Sequence, residues 1–215
     1  MSKYAVIDLE MCYVPRTPDT AAFRNRNELI QIGAVLLDES FDEIDSFMTL
    51  VAPQYGTIDT FIENLTGISP AAAAAAPSTA EAIAAFAKWL PEDAVIVSWS
   101  DTDKFQLMHE LEYKNIDFPG FDGYLETWQD CQLMFSEKME TAKIYKLSEA
   151  IIIADIDSVE GEHDALIDAR NTAKLYSKIM TEPEFTLNSY YTTNESHSEA
   201  THNPFAALLA GFKAQ

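Results

Sequence analysis

The stretch VIDLEM, Val6 to Met11, sets two carboxylates inside a segment that otherwise reads as the interior of a sheet. Side chains alternate along a β-strand, so residues two apart share a face. Asp8 and Glu10 therefore point the same way as Val6, while Ile7 and Leu9 point to the other side. Two like charges that close repel each other, and near a core they also lose hydration. A fold accommodates such a pair when something positive lies between them, and a divalent cation is the usual solution. The D-x-E spacing is common by itself, so its meaning depends on partners elsewhere in the chain.

At 215 residues the chain is long enough for one well-packed domain with a tail, and its 47% hydrophobic content excludes overall disorder. No run of about 18 apolar residues occurs, so no membrane span is expected. The strand-like opening leaves no room for a signal peptide. Cys12 and Cys131 are too few for a disulfide framework and lack metal-binding spacing, which points to a reducing, cytoplasmic setting. The net charge of −21 argues against a surface that coats nucleic acid broadly. Local basic sites are compatible with it. Three of the four arginines, Arg16, Arg24 and Arg26, fall between the first two strands, and Lys138, Lys143 and Lys146 form a second group. Ordinary solvated surface charge is the plainer account of both groups.

Tyr4–Glu10, Glu28–Asp38 (ELIQIGAVLLD) and Ser46–Pro53 read as consecutive strands of an antiparallel meander. The polar stretch from Tyr13 to Asn27 is a long loop of the kind that is often functional. SPAAAAAAPSTAEAIAAFAKWLP reads as two helices, the first capped by Ser69 with Pro70 at its opening position. In the second, Ile83, Phe86, Ala87 and Leu90 recur at helical spacing and form a core face. Ala94–Ser100 is a fourth strand that leads into a helix from Thr102 to Asn115. Leu125–Cys131 reads as a short fifth strand, and Lys143–Ile153 and Asp164–Met180 as the last helices. This order predicts an α/β fold, a mixed five-stranded sheet flanked by helices. The domain is expected to span residues 1–181. Residues 182–215 read as a polar linker and a short apolar end, NPFAALLAGF, which could dock on the domain's own core, on a second subunit or on a partner, its own core being the plainest account.

Two further acidic sites matter by position. In SWSDTDKFQL, Asp101 and Asp103 follow directly on the fourth strand, where acids commonly cap a helix. In HDALIDARNTAKLY, His163 and Asp168 lie five apart, a rotation of about 140° on a helix. They can converge only if His163 sits in the loop before the helix, which Gly161 favours.

The ordered set of D-x-E on a first strand, Asp after a fourth and H-x-x-x-x-D at a final helix resembles the DEDDh (DnaQ-like) 3′→5′ exonucleases. ELIQIGAVLLD, LTGIS and HDALIDARNTAKLY match as well, from about Lys3 to Met180. Within that group the chain looks most like stand-alone domains related to the histone-mRNA 3′ exonuclease and to KapD. The resemblance implies a ribonuclease H-like fold. It implies that Asp8, Glu10, Asp103 and Asp168 bind two divalent ions, Mg²⁺ or Mn²⁺, and that His163 is the general base. Asp103 is preferred to Asp101 because it stands four residues before Leu107, as the family pattern expects. Hard divalent ions suit carboxylate oxygens and can activate a water and stabilise a leaving oxygen together. Met11 and Cys12 are candidates to line the pocket for the terminal nucleotide, and Glu28 a candidate to hydrogen-bond near the 3′ end. Trp99 is a candidate to stack on a base, with a buried structural role as the plainer account.

The implied activity is 3′→5′ hydrolysis of single-stranded RNA or DNA to nucleoside 5′-monophosphates. A hydrolase of short oligonucleotides or small nucleotides and a non-catalytic nucleic-acid binding module are the alternatives. Related domains occur as monomers and as dimers, so a homodimer stays open.

Overall fold

The computed structural model describes residues 2–161 and 163–189. Three strands come first, β1 (Lys3–Tyr13), β2 (Asn27–Leu37) and β3 (Glu43–Leu50), and they pair as an antiparallel meander. The turn into β3 is tight because the Asp38 carboxylate accepts the backbone N–H groups of Ser40 and Asp42. Pairing resumes at once, at Leu37 opposite Glu43. The third strand therefore begins three residues before the expected Ser46 and ends at Leu50, short of Pro53. Its Glu43 and Asp45 defeated the apolar reading because β3 is an exposed edge strand.

Helices α1 (Thr60–Thr66), α2 (Pro70–Ala74) and α3 (Thr79–Trp89) follow. The first was not anticipated, although Asp59 caps its Ile62 N–H and Gly67, at φ 72°, ends it. Ser78 and Glu81 form a reciprocal capping box at the start of α3. The chain then enters β4 (Ala94–Ser98), which lies parallel to β1, and α4 (Asp101–Lys114). The expected strand over Leu125–Cys131 is mostly helical. α5 (Phe121–Thr127) and α6 (Cys131–Lys138) leave only β5 (Gln129–Asp130) between them. Asp130 ends the strand by accepting the Leu133 N–H as the cap of α6. α7 (Leu147–Ile153) is shorter than expected, and α8 (Ala165–Thr181) completes the domain. The sheet order is β3-β2-β1-β4-β5.

Both faces of the sheet are covered. Ile7, Ile32, Ala34 and Ile96 pack against Phe86, Leu107 and Tyr124 of α3, α4 and α5. Val6, Val35 and Val97 pack on the other side against Phe135, Ile151 and Tyr176 of α6, α7 and α8. A fully buried aliphatic or Phe side chain contributes about 1.5–3 kcal/mol, so each layer is held independently by several such residues. The chain stays on the domain beyond residue 181. Phe185 packs against Phe135, with ring centroids 5.9 Å apart, and the Asn188 N–H donates to Ile153 O. The apolar end NPFAALLAGF lies outside the described residues. Among the described residues no helix is long and apolar enough to cross a membrane.

One close approach sets the position of α8. Gly33 of β2 pairs opposite Asp8 of β1 and lies under the first turn of α8. A Cβ at Gly33 would stand 2.2 Å from the Ala165 carbonyl carbon and the Leu166 nitrogen, both backbone atoms that cannot rotate aside. Gln31, two residues earlier on the same face, accepts the Ala165 N–H at 3.1 Å. Gly33→Ala is expected to lift the start of α8 and to cost about 1–3 kcal/mol or more by overpacking. A fall in the urea unfolding midpoint, measured against Gly123→Ala at a site with open space, checks it.

Candidate active site

Asp8 and Glu10 share the face of Val6, as alternation requires. The parallel pairing of β1 with β4 ends at Ile7 opposite Ser98, so the next inward-facing N–H, that of Leu9, has no strand partner. Asp103, in the first turn of α4, takes it with Oδ1 at 3.0 Å. This hydrogen bond fixes the buried Asp103 beside the acidic pair. Asp101 lies close to Asp130, which also acts on Asp103.

The third contribution comes from the start of α8. Asp164 caps the helix by accepting the Leu166 and Ile167 N–H groups. Asp168, one turn further on, faces Asp8 and Glu10. His163 precedes the cap in the loop, exposed, with a left-handed φ of 67°. Its backbone N–H donates to Asp168 Oδ2 at 3.0 Å. Glu10, His163 and Asp168 each offer a ligand atom, and these atoms lie within 4.8 Å of one another. A left-handed non-glycine residue is sparsely populated and tends to mark a functional position. Before it, Gly161 adopts φ 115°, a conformation open to glycine, and a Cβ there would meet Ile167 Cδ1 at 2.5 Å.

Crowding shows in the acidities. Burial pushes the Asp8 carboxyl well above the usual range, and Asp103, Asp168, Glu10 and Asp164 push it further. Glu10 rises to about 8, through burial first and then through Asp168, Asp103 and Asp164. Asp103 rises to about 7 by burial, although the Leu9 N–H works the other way. Among the described residues, the charged groups that raise Asp8 and Glu10 are other acids. A cluster of hard oxygen donors has the chemistry that Mg²⁺ or Mn²⁺ requires.

The other expected site residues lie past the acidic pair. The β1–β2 register shifts between Glu10 and Met11, where β2 carries the extra residue Ile30, a bulge beside the acidic pair. Met11 is half-buried beside the acids, whereas Cys12 is buried under the loop at Gly56. Burial, then Glu28 and Glu110, push the Cys12 thiol up to about 12, so it stays neutral and acts by packing. Glu28 is fully buried. Its carboxylate accepts the N–H groups of Gln54, Tyr55 and Gly56 and pairs with Lys114, which also pairs with Glu110 at 2.8 Å. With its oxygens occupied and no exposure, Glu28 supports the loop beside Cys12. Trp99 lies partly buried against Phe135, on the wall of a cavity that also borders His163 and Asp168. Reading the sequence alone missed Gln31, Gly33, Asp164 and the Lys114–Glu110 pair. Asp164 could have been found as the cap preceding an apolar helical pattern.

The fold is a ribonuclease H-like nuclease fold. A family model described as Exonuclease (RNase_T) matches residues 5–176, and the chain belongs to that family. It is similar to ERI1 exoribonuclease 2 of Danio rerio, 28% identical over 179 residues. That match takes in 72% of this chain and 32% of the relative, so the chain spans about a third of that protein's length. Among solved structures it resembles the nuclease domain of 3′hExo, a DEDDh family member bound to rAMP, at TM-score 0.70 and 17% identity over 87% of this chain and 96% of that one. Cell-death related nuclease 4 (CRN-4) superposes at TM-score 0.68 and 19% identity, covering 86% of this chain and 66% of that one. E. coli Exonuclease I in complex with a dT13 oligonucleotide superposes at 0.62 and 17%, covering 84% and 41%. At these identities the structural likeness is one of fold.

Two outcomes are expected. Lys114→Met leaves Glu28 and Glu110 buried without their cation and should destabilise by about 3–5 kcal/mol, with partial recovery when Glu28→Gln is added; denaturant melts of the single and double variants measure both. The second outcome concerns pH. Carboxylates raised in the folded chain contribute stability that is complete below their ordinary values near 4 and is lost as pH rises through about 7 for Asp103 and about 8 for Glu10. In chelator the melting temperature should therefore fall between about pH 5 and about pH 8, and Mg²⁺ or Mn²⁺ should restore it at the upper end. A flat profile in chelator would contradict the crowding described.

Proposed function

We propose that the chain is a metal-dependent 3′→5′ exonuclease that releases nucleoside 5′-monophosphates from single-stranded RNA or DNA. The observation that supports this most is the gathering of Asp8, Glu10, Asp103 and Asp168 around one end of β1, with His163 held against Asp168. Asp8, Glu10, Asp103 and Asp168 would hold two divalent ions, Mg²⁺ or Mn²⁺, which when bound offset the phosphate charge and assist both the attacking water and the leaving oxygen.

The protein's own groups account for the remaining demands. His163 stands in the loop with its imidazole exposed and its backbone tied to Asp168, so it can take a proton from an attacking water and pass it to solvent. Asp164 and Gln31 hold the helix that presents Asp168. Beside His163 and Asp168 a cavity of about 790 Å³ opens, with Trp99, Lys146, Ile144 and Ile152 on its walls. Ile144 and Ile152 are 59% and 67% exposed, a surface suited to bases rather than to water. Met11 would border the terminal nucleotide on the other side of the acids.

The net charge of −21 favours a short footprint and low processivity, since long-range attraction for a polyanion is poor. It also supports a second reading, in which very short oligonucleotides are the preferred substrates. Rates that fall steeply as the substrate lengthens would select that reading. The relatives include an exoribonuclease and a nuclease solved with dT13, so both sugars belong in the assay. With 5′-labelled RNA and DNA, a ladder shrinking by single nucleotides from the 3′ end is expected, abolished by chelator and by Asp168→Ala. His163→Ala should slow it by about 10²–10⁴-fold. Intact substrate of both kinds, with metal bound and the fold retained, would refute the proposal.

A further inference from the structure

The loop between β1 and β2 holds three of the chain's four arginines within residues 16–26, and its lone acid is Asp19. The fourth, Arg170, pairs with Glu43 at 3.0 Å. Among the described residues no carboxylate pairs with Arg16, Arg24 or Arg26, although the chain has 35 acidic residues against 14 basic ones. Where acids are in such excess, three unpaired guanidiniums on one loop point to an anion that is not part of the chain.

The loop is built to present them. The Val14 N–H donates to Arg26 O at 2.7 Å and closes its base. Phe23 is 3% exposed and stacks on Tyr55 with centroids 5.2 Å apart, with Tyr113 at its edge. Asn25 donates to Gln106 Oε1 at 2.7 Å, and Gln106 follows Asp103 by one turn of α4. The Thr20 hydroxyl donates to Pro15 O at 2.6 Å across the loop. All three arginines are exposed on this anchored backbone. Arg16 and Arg24 face a shared cavity of about 500 Å³ with Phe23 and Asn25. The loop leaves β1 three residues past Glu10, about 10 Å along the strand. A rigid frame lowers the ordering cost of binding, and the guanidinium fork matches phosphate oxygens.

We propose that this loop is a second anion site, which takes backbone phosphates of a nucleic acid outside the cleavage position. The ligand class rests on the nuclease reading above. Those phosphates belong either to the substrate strand itself or to a strand paired with it. Each phosphate neutralised flattens the logarithmic salt dependence of binding by about 0.7 for single strands when lost. Arg16→Gln with Arg24→Gln, both on exposed side chains, removes two contacts without touching the acids.

The test is fluorescence anisotropy of a labelled strand of about 20 nucleotides, free and partly paired to leave a 3′ overhang, titrated with wild type and double variant over a range of salt. The double variant is expected to bind about tenfold more weakly at low salt, with the slope flattened by about 1.4. Loss on the free strand assigns the phosphates to the substrate strand, and loss confined to the paired substrate assigns them to its complement. Equal affinity and slope for the two proteins on both substrates, or no binding by wild type, would overturn the proposal. Turnover by the wild type, measured in parallel, separates the two readings. Cleavage with unchanged binding sinks the loop site alone, and arginine-dependent binding without cleavage sinks the nuclease reading alone.

Discussion

The contact between the first turn of α8 and β2 is the constraint on which the rest of the site depends. Helices usually keep a side-chain layer between their backbone and a sheet, and here that layer is missing at one point. Gly33 lets the Ala165–Leu166 peptide come down onto the strand, and Gln31 holds it there by accepting the Ala165 N–H. Because Gly33 lies opposite Asp8, the same contact brings Asp164 and Asp168 over the acidic pair. A larger residue at Gly33 would lift the start of α8, and with it Asp164 and Asp168, off the strand.

What this closeness creates is unfavourable by itself. Asp8 and Glu10 are pushed towards their neutral forms by burial and by neighbouring acids, and Asp103 by burial and then by Asp130. The packing of two independent cores holds them in place against that repulsion. A bound divalent cation would convert the repulsion into attraction. Elsewhere the chain handles buried acids differently. Glu28 and Glu110 share Lys114, and Glu28 also accepts three backbone N–H groups, so that carboxylate serves a loop and needs no metal. Two groups of buried acids, Asp8, Glu10 and Asp103 on β1 and α4 and Glu28 and Glu110 on β2 and α4, thus have opposite chemistry, and Lys114 decides which.

Charge is distributed with the same economy. An acidic chain would hold a polyanion poorly at a distance, and the groups that could engage one are local: the acids once they hold cations, the apolar walls near Ile144 and Ile152, and the arginine loop after β1. Anchoring through Phe23 and Asn25 keeps that loop close to α4 and so to Asp103.

The amino-acid sequence by itself determined the sheet's first two strands, the shared face of Asp8 and Glu10, the helix after the fourth strand and the final helix. Each of these follows from local periodicity, which is written in neighbouring residues. It also held the five acidic and histidine positions in order, because their spacing is a linear property. Elements without such periodicity were not legible. The edge strand β3 carries Glu43 and Asp45 where water is available, and the fifth strand shrinks to Gln129–Asp130 because Asp130 caps α6. Only the tertiary structure decided that Glu28 faces a lysine, that Cys12 is a packing thiol, and that α8 is seated on β2 through Gln31. These outcomes depend on residues 86 positions apart in the case of Glu28 and Lys114, or 134 apart for Gln31 and Ala165. Burial and charge pairing are set by such distant neighbours, and no local pattern encodes them.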